Sequence, residues 1–290
     1  MLKIIIIAIA IAWMAMEILQ KFERINTFFP ESDFDASTED FSTGLEDIYF
    51  EAKDGTKLHG WFLPAPESRS ILIFAHGNAG NISHRIQKIQ LLNKIGISVF
   101  IFDYRGYGKS FGKPTEKGMY RDIAGAVSLV KGRLRSPADK LIFYGESLGG
   151  AAVIDYLYEY PEDQKHSLVI LEGTFTSAVD MAKIIYPFIP SFIVRTRLDN
   201  ASKIAHLKAP LLILHSTNDP VVPYKFGQKL YDLAGVPKKI VALSGGHCTA
   251  FAEETDLYLV SIRDFVASYG TDSSISSDKP GHNFKLVDEQ

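Results

Sequence analysis

The chain has 290 residues, 46% of them apolar, enough to bury the core of one or two domains. Its formal net charge is −3 with both signs scattered along it, so no block of Lys and Arg marks a nucleic-acid partner. A single cysteine, Cys248, excludes an internal disulfide and any multi-cysteine zinc site and leaves the redox compartment open.

The first segment differs in kind from the rest. Residues 4–16 carry no polar side chain, and the apolar character extends from Leu2 to Leu19 apart from Lys3 and Glu17. A helix of about 18 residues spans roughly 27 Å, just short of a hydrocarbon core. Lys3 and Glu17 lie near its ends, where charged groups reach the interface. A cleavable signal peptide is the competing reading. Against it, the small-residue pairs Ala8/Ala10 and Ala10/Ala12 sit inside the apolar run, and bulky Trp13, Met14 and Met16 follow. A buried core helix is the plainest alternative, but a run apolar on every side seldom packs that way at a chain end. Residues 1–24 are therefore expected to be a single-pass N-terminal membrane anchor. Cleavage would instead make the remainder secreted or periplasmic. The α-amine and Lys3 balance Lys21 and Arg24, so the positive-inside rule leaves the side of the membrane a tie.

Residues 25–45 read as an acidic, turn-rich linker with apolar anchors such as Phe28 and Phe29. From residue 46 the pattern changes. Residues 47–51 and 57–63 look like strands, joined by the hairpin signal Asp54-Gly55. Residues 70–75, 97–102, 140–144, 167–171, 210–215 and 239–243 are nearly continuous in Ile, Leu, Val and Phe, as in strands covered on both faces. Between them, residues 83–95, 119–134, 148–160, 225–233 and 250–268 carry apolar positions at helical spacing. This alternation predicts an α/β domain over 46–270, with a mostly parallel central sheet, helices on both faces and an antiparallel opening hairpin. The rhythm breaks at about 175–205, where a short helical cap insertion is expected. Residues 271–290 are polar and aperiodic and read as a disordered tail.

At the joint between one strand and helix stands Gly145-Glu146-Ser147-Leu148-Gly149-Gly150. A serine on so tight a turn adopts strained backbone angles, and its small neighbours let strand and helix approach. The hydroxyl then projects above the sheet at a helix N-terminus, where developing negative charge is favoured. A serine that merely caps the helix would share the pattern. What separates the two readings lies elsewhere in the chain. A serine hydroxyl is a weak nucleophile that needs a base held by an acid. Asp219 follows the strand ending at His215, and His247 follows the last strand in Ser244-Gly-Gly-His. Serine, acid and histidine thus fall on three loops at one sheet edge, in the chain order of this fold. Asp219 as a helix cap and His247 as a surface loop residue are the plain alternatives, and His215 is the rival base. For a tetrahedral intermediate, two backbone N–H groups are expected to form the oxyanion hole. They are Leu148, after the nucleophile, and Asn78, in the loop after the first parallel strand.

With these residues in view, the chain resembles α/β-hydrolases of the Bem46-like type, related to abhydrolase-domain-containing acyl thioesterases. The resemblance rests on Asp54-Gly-Thr-Lys-Leu-His-Gly-Trp61, His76-Gly-Asn-Ala-Gly-Asn81, Phe102-Asp-Tyr-Arg-Gly-Tyr-Gly-Lys-Ser110, Gly145-Glu-Ser-Leu-Gly-Gly150 and the segments around Asp219 and His247. It covers roughly residues 46–269 and implies the same triad and oxyanion groups. It also implies that residues 103–108 form a structural loop, with Asp103 and Arg105 paired locally.

The favoured expectation is a serine hydrolase that cleaves an acyl ester or thioester through an acyl-Ser147 intermediate, with no metal or organic cofactor implied. Phe175, Tyr186, Phe188, Phe192 and Ile193 of the insertion are candidates for an apolar acyl-site wall, or for plain helix packing. With the anchor nearby, small-molecule, lipid or acylated-protein substrates at a membrane are the expected partners. A serine peptidase and a non-catalytic module on the same fold are the alternatives. Cys248 is expected to be a small buried residue without a catalytic role.

Overall fold

A computed structural model of the chain describes residues 1–35, 44–134 and 140–270. The expected tail and part of the expected linker lie outside the described residues. The chain opens with α1 (Leu2–Thr27), β1 (Phe29–Pro30), β2 (Glu46–Glu51), β3 (Lys57–Leu63), β4 (Ser70–Ala75) and β5 (Ala79–Gly80). There follow α2 (Ile86–Lys94), β6 (Ser98–Asp103), α3 (Glu116–Leu129), β7 (Lys140–Glu146), α4 (Leu148–Glu159) and β8 (Ser167–Glu172). The last part holds α5 (Ala178–Ile185), α6 (Asn200–Ile204), β9 (Leu211–Ser216), α7 (Tyr224–Leu233), β10 (Lys238–Leu243), α8 (Ala250–Glu253) and α9 (Thr255–Gly270).

Eight of the strands form one sheet in the order β10-β9-β8-β7-β4-β6-β3-β2. The hairpin β2–β3 is antiparallel, as is its junction with β6, and the remaining pairs are parallel. Period-2 side-chain alternation explains why the central strands must be apolar at every position. Ile71, Phe100, Phe143, Leu171 and Ile213 pack on the face covered by α3, α4 and α7. Their neighbours Leu72, Ile101, Tyr144, Ile170 and Leu214 pack on the other, against α2 and α9. Each such fully buried aliphatic side chain contributes about 1.5–3 kcal/mol relative to exposure. The α/β architecture with helices on both faces is thus the one expected.

Local signals set the helix starts. Thr115 accepts the Gly118 N–H (3.0 Å) ahead of α3, and Ser177 accepts the Asp180 N–H (3.0 Å) ahead of α5. The insertion between β8 and β9 holds α5, a stretch of turns and the short α6. Its return limb is pinned by the Glu116 carboxylate, which accepts the N–H groups of Arg197 (2.9 Å) and Leu198 (2.8 Å).

The chain's start departs from expectation. Helix α1 does not stop at residue 24 but runs to Thr27, Phe28 is buried, and β1 pairs in parallel with β5. The first part of the expected linker is therefore packed structure. Of its two expected apolar anchors, Phe28 is buried and Phe29 is half exposed, and the polar, turn-rich composition conceals only the strand pairing of Phe29 and Pro30. The helix Ile5–Thr27 is long and apolar enough to span a membrane or to serve as a signal sequence.

Candidate active site

Ser147 sits between β7 and α4 with φ 51° and ψ −110°, a conformation strained for any residue with a Cβ. Its N–H donates to the Glu172 carbonyl (2.7 Å), which ties the turn to the end of β8. The tight joint depends on Gly149: a Cβ there would strike the Ala75 carbonyl of β4. The hydroxyl makes no capping hydrogen bond to α4, so the plain helix-cap reading does not describe it.

Asp219 lies just past β9. Its Oδ1 accepts the N–H groups of Val221 and Val222, both at 2.8 Å, which fixes the carboxylate plane. Its Oδ2 lies 2.6 Å from Nδ1 of His247. Burial alone would raise the Asp219 carboxyl; the hydrogen bond and charge of His247 and the two amides outweigh it and hold it below its ordinary value. With Nδ1–H donating to Asp219, the other ring nitrogen of His247 is left as an acceptor. Gly173, the residue after β8, lies beneath this pair: a Cβ built on it would stand 3.0 Å from Cε1 of His247. Ser147 and His247 are thus both referenced to the same strand end. His215, the rival base, is buried behind Asp219, with Nε2 bonded to the Val222 carbonyl (2.9 Å) and 3.6 Å from Oδ2 of Asp219. Burial holds its imidazole below the ordinary value, against the pull of that carbonyl and of Asp219.

Leu148 is the first residue of α4, so its N–H has no intrahelical partner. Asn78 faces the same cavity from the loop after β4. That loop is braced from below: the Tyr107 hydroxyl donates to the Asn78 carbonyl (2.8 Å) and the Tyr104 hydroxyl to the His76 carbonyl (2.9 Å). The Asn78 side chain donates to the Thr27 carbonyl (3.3 Å) at the end of α1.

A cavity of about 360 Å³ opens at Ser147, Leu148 and Asn78, within the size range of small-ligand sites. Of the insertion residues proposed as its wall, Phe175, Tyr186 and Ile193 line it. Phe188 and Phe192 instead project outward, 96% and 83% exposed. Hydrophobicity marks both groups equally, and only the turn geometry of the insertion separates them.

A buried ionic cluster that sequence reasoning missed supports the strand ends. Lys88 Nζ stands between Oε1 of Glu146 (2.5 Å) and Oε2 of Glu172 (2.8 Å). Oε2 of Glu146 accepts from Arg85 Nε and from the Gly77 N–H, both at 3.0 Å. The Tyr144 hydroxyl joins Glu172 to the Tyr258 hydroxyl. Burial would raise Glu146, yet the charges of Lys88 and Arg85 hold it well below the usual carboxylate range. The cluster joins the loop after β4, the serine turn and the end of β8 through one network of ion pairs and hydrogen bonds. Lys88 reads in the sequence as one more charged position on an amphipathic helix, so only the packed structure finds it.

Two local expectations are corrected. Arg105 does not pair with Asp103 but with Asp122 (2.7 Å) and Asp54 (3.0 Å), because its side chain reaches back to α3 and the β2–β3 turn. Asp103 is buried at the end of β6, where it accepts the Ile82 N–H (3.0 Å) and lies between His59 and His76. Cys248 is exposed rather than buried, because it stands in the turn that leads into α8.

The family model Hydrolase_4, described as serine aminopeptidase S33, matches residues 66–205. The chain is 35% identical over 231 residues to YfhR of Escherichia coli K12, covering 77% of this chain and 81% of that protein. It is 31% identical to Bem46 of Schizosaccharomyces pombe, covering 80% and 81% of the two chains. This chain is an α/β-hydrolase of the Bem46-like family. The α/β-hydrolase domain-containing protein WAV2 of Arabidopsis thaliana is a further relative, 32% identical over 245 residues, covering 77% of this chain and 79% of WAV2. Among solved structures, the esterase Pf2001 of Pyrococcus furiosus superposes on this hydrolase with a TM-score of 0.68 at 19% identity, covering 83% of this chain and 97% of its own. At that identity the likeness concerns the fold.

Proposed function

We propose that this hydrolase cleaves carboxylic esters or thioesters through an acyl-Ser147 intermediate, with substrates drawn from a membrane that α1 enters. The observation that carries the reading is the pairing of Asp219 with His247 at 2.6 Å, on the same strand edge as a strained serine that opens onto an apolar cavity. The free nitrogen of His247 takes the Ser147 proton as Oγ attacks the acyl carbonyl. Negative charge that develops on the carbonyl oxygen is met by the N–H groups of Leu148 and Asn78, each such donor worth about 10²–10³ in rate. His247 then passes the proton to the leaving alcohol or thiol, and a second cycle with water releases the acid. Asp219 holds the imidazole in the required tautomer and stabilises its cationic form.

The description of the matched family model favours a second reading, cleavage at a peptide amino terminus. An exopeptidase needs a carboxylate free to grip a substrate ammonium. Among the described residues that line the cavity, the one carboxylate is Glu23, and its oxygens already accept two backbone N–H groups and a hydroxyl. Turnover of acyl p-nitrophenyl esters against aminoacyl amides by the full-length protein separates the readings. The ester reading expects kcat/KM for the acyl esters to exceed that for the amides by more than about ten-fold, a gap of 1.4 kcal/mol in barrier. A preference for the amides would overturn it.

A further inference from the structure

We infer that the last two turns of α1 form the specificity-determining wall of the acyl site, so that one helix both enters the bilayer and measures the acyl chain drawn from it. This rests on the acyl-hydrolase reading and names where that chain lies. Leu19, Phe22, Glu23, Asn26 and Thr27 all line the cavity that holds Ser147. Their spacing, i, i+3, i+4, i+7 and i+8, is one face of a helix. Upstream of Leu19, exposed Ile9, Trp13, Met14, Met16 and Ile18 distribute apolar surface around the helix; from Leu19 onward a single face turns to the protein.

That face is fastened rather than merely adjacent. Glu23 accepts the N–H groups of Arg195 (2.7 Å) and Thr196 (3.0 Å) and the Thr196 hydroxyl (3.0 Å), which clamps the insertion onto the helix. The Tyr186 hydroxyl donates to Asn26 Oδ1 (2.8 Å), and its ring packs 6.2 Å from that of Phe22. The helix C-terminus is held to the oxyanion loop through Asn78 and through the pairing of β1 with β5. Leu19 lies eight residues from Thr27, about 12 Å along the axis at 1.5 Å per residue. An acyl chain seated at Ser147 therefore runs beside α1 toward the segment that enters the membrane. Ile185 lines the same cavity and is half exposed, and Phe188 and Phe192 stand exposed elsewhere on the insertion. Lys21 and Arg24 of α1, with Arg195 held to the helix at Glu23, supply positive charge suited to anionic headgroups. The substrate class is an ester or thioester of a long, bilayer-embedded acyl chain.

The test compares kcat/KM for dodecanoyl and acetyl p-nitrophenyl esters, using full-length protein in lipid nanodiscs. Leu19→Trp, which fills the far end of the cavity, is expected to lower the dodecanoyl-to-acetyl ratio by about ten-fold or more, as pocket-filling changes do. Glu23→Gln, which loosens the clamp, is expected to lower the same ratio through a raised KM for the long ester. Ile25→Trp, on the opposite exposed face, is expected to leave the ratio at its wild-type value. Unshifted ratios in both Leu19→Trp and Glu23→Gln would overturn the inference, as would an equal shift in Ile25→Trp. Wild-type protein without Ser147-dependent turnover would instead refute the acyl-hydrolase reading itself, which keeps the two failures apart.

Discussion

At the scale of single residues, the proposed chemistry depends on how Asp219 divides its two oxygens. One is saturated by backbone N–H groups and the other is given to His247, so the carboxylate cannot rotate away from the imidazole. Asp219→Asn keeps the shape but favours the wrong imidazole tautomer. It is expected to lower kcat by about 10⁴ with little change in KM, measured by steady-state ester hydrolysis. The same group contributes to stability with a defined sign. Its folded value lies below the ordinary 3.8, so its stabilisation is fully present above that pH and is lost as pH falls through the lower folded value. In Asp219→Asn that part of the acid dependence is expected to vanish from the urea midpoint. Sequence order put Ser147, Asp219 and His247 on loops after strongly apolar strands, and in the structure each follows a strand, β7, β9 and β10. It could not say which histidine Asp219 would face, since His215 stands only 3.6 Å from the same oxygen.

At the scale of elements, the ends of β4, β7 and β8 are held by the Lys88 cluster beneath the serine turn. Lys88 is buried with its charge shared between Glu146 and Glu172. Lys88→Met removes the cation and leaves two buried carboxylates short of a partner, a change expected to cost about 3–5 kcal/mol in urea unfolding at neutral pH. The pH sign is distinctive. In the wild type Glu146 sits below its ordinary 4.5, and its stabilisation is lost only as pH falls through the lower folded value. In the variant its folded value rises, so the cost of the substitution should shrink as the pH is lowered through 4.5. An undiminished cost at acid pH would place the loss in packing instead. The two-residue β1 and β5 were not legible, whereas the eight strands of the main sheet were, to within about two residues, because continuous Ile, Leu, Val and Phe between glycine-rich loops leaves few other structures. The cluster beneath them was not legible, since Lys88, Glu146 and Glu172 are far apart in the chain and carry no periodic signal.

At the scale of the molecule, the eight-stranded α/β-hydrolase sheet carries Ser147, Asp219 and His247 at one edge, beside a cavity lined by the insertion and α1. The anchor-like composition of residues 4–16 was plain in the sequence, whereas the docking of the following turns was concealed. The face that meets the cavity mixes Leu19 and Phe22 with Glu23, Asn26 and Thr27, a pattern that hydrophobic periodicity reads as solvent-facing. The same mixture suits a surface that must accept backbone N–H groups and still offer apolar contact. Ser147 is proposed here as an activated nucleophile, and covalent labelling of the protein by a fluorophosphonate probe tests that role most directly. Wild-type protein is expected to label, and Ser147→Ala, with its cooperative thermal unfolding retained, to give no adduct. A folded wild-type protein that takes no label, or a Ser147→Ala variant that labels as strongly as wild type, would contradict it.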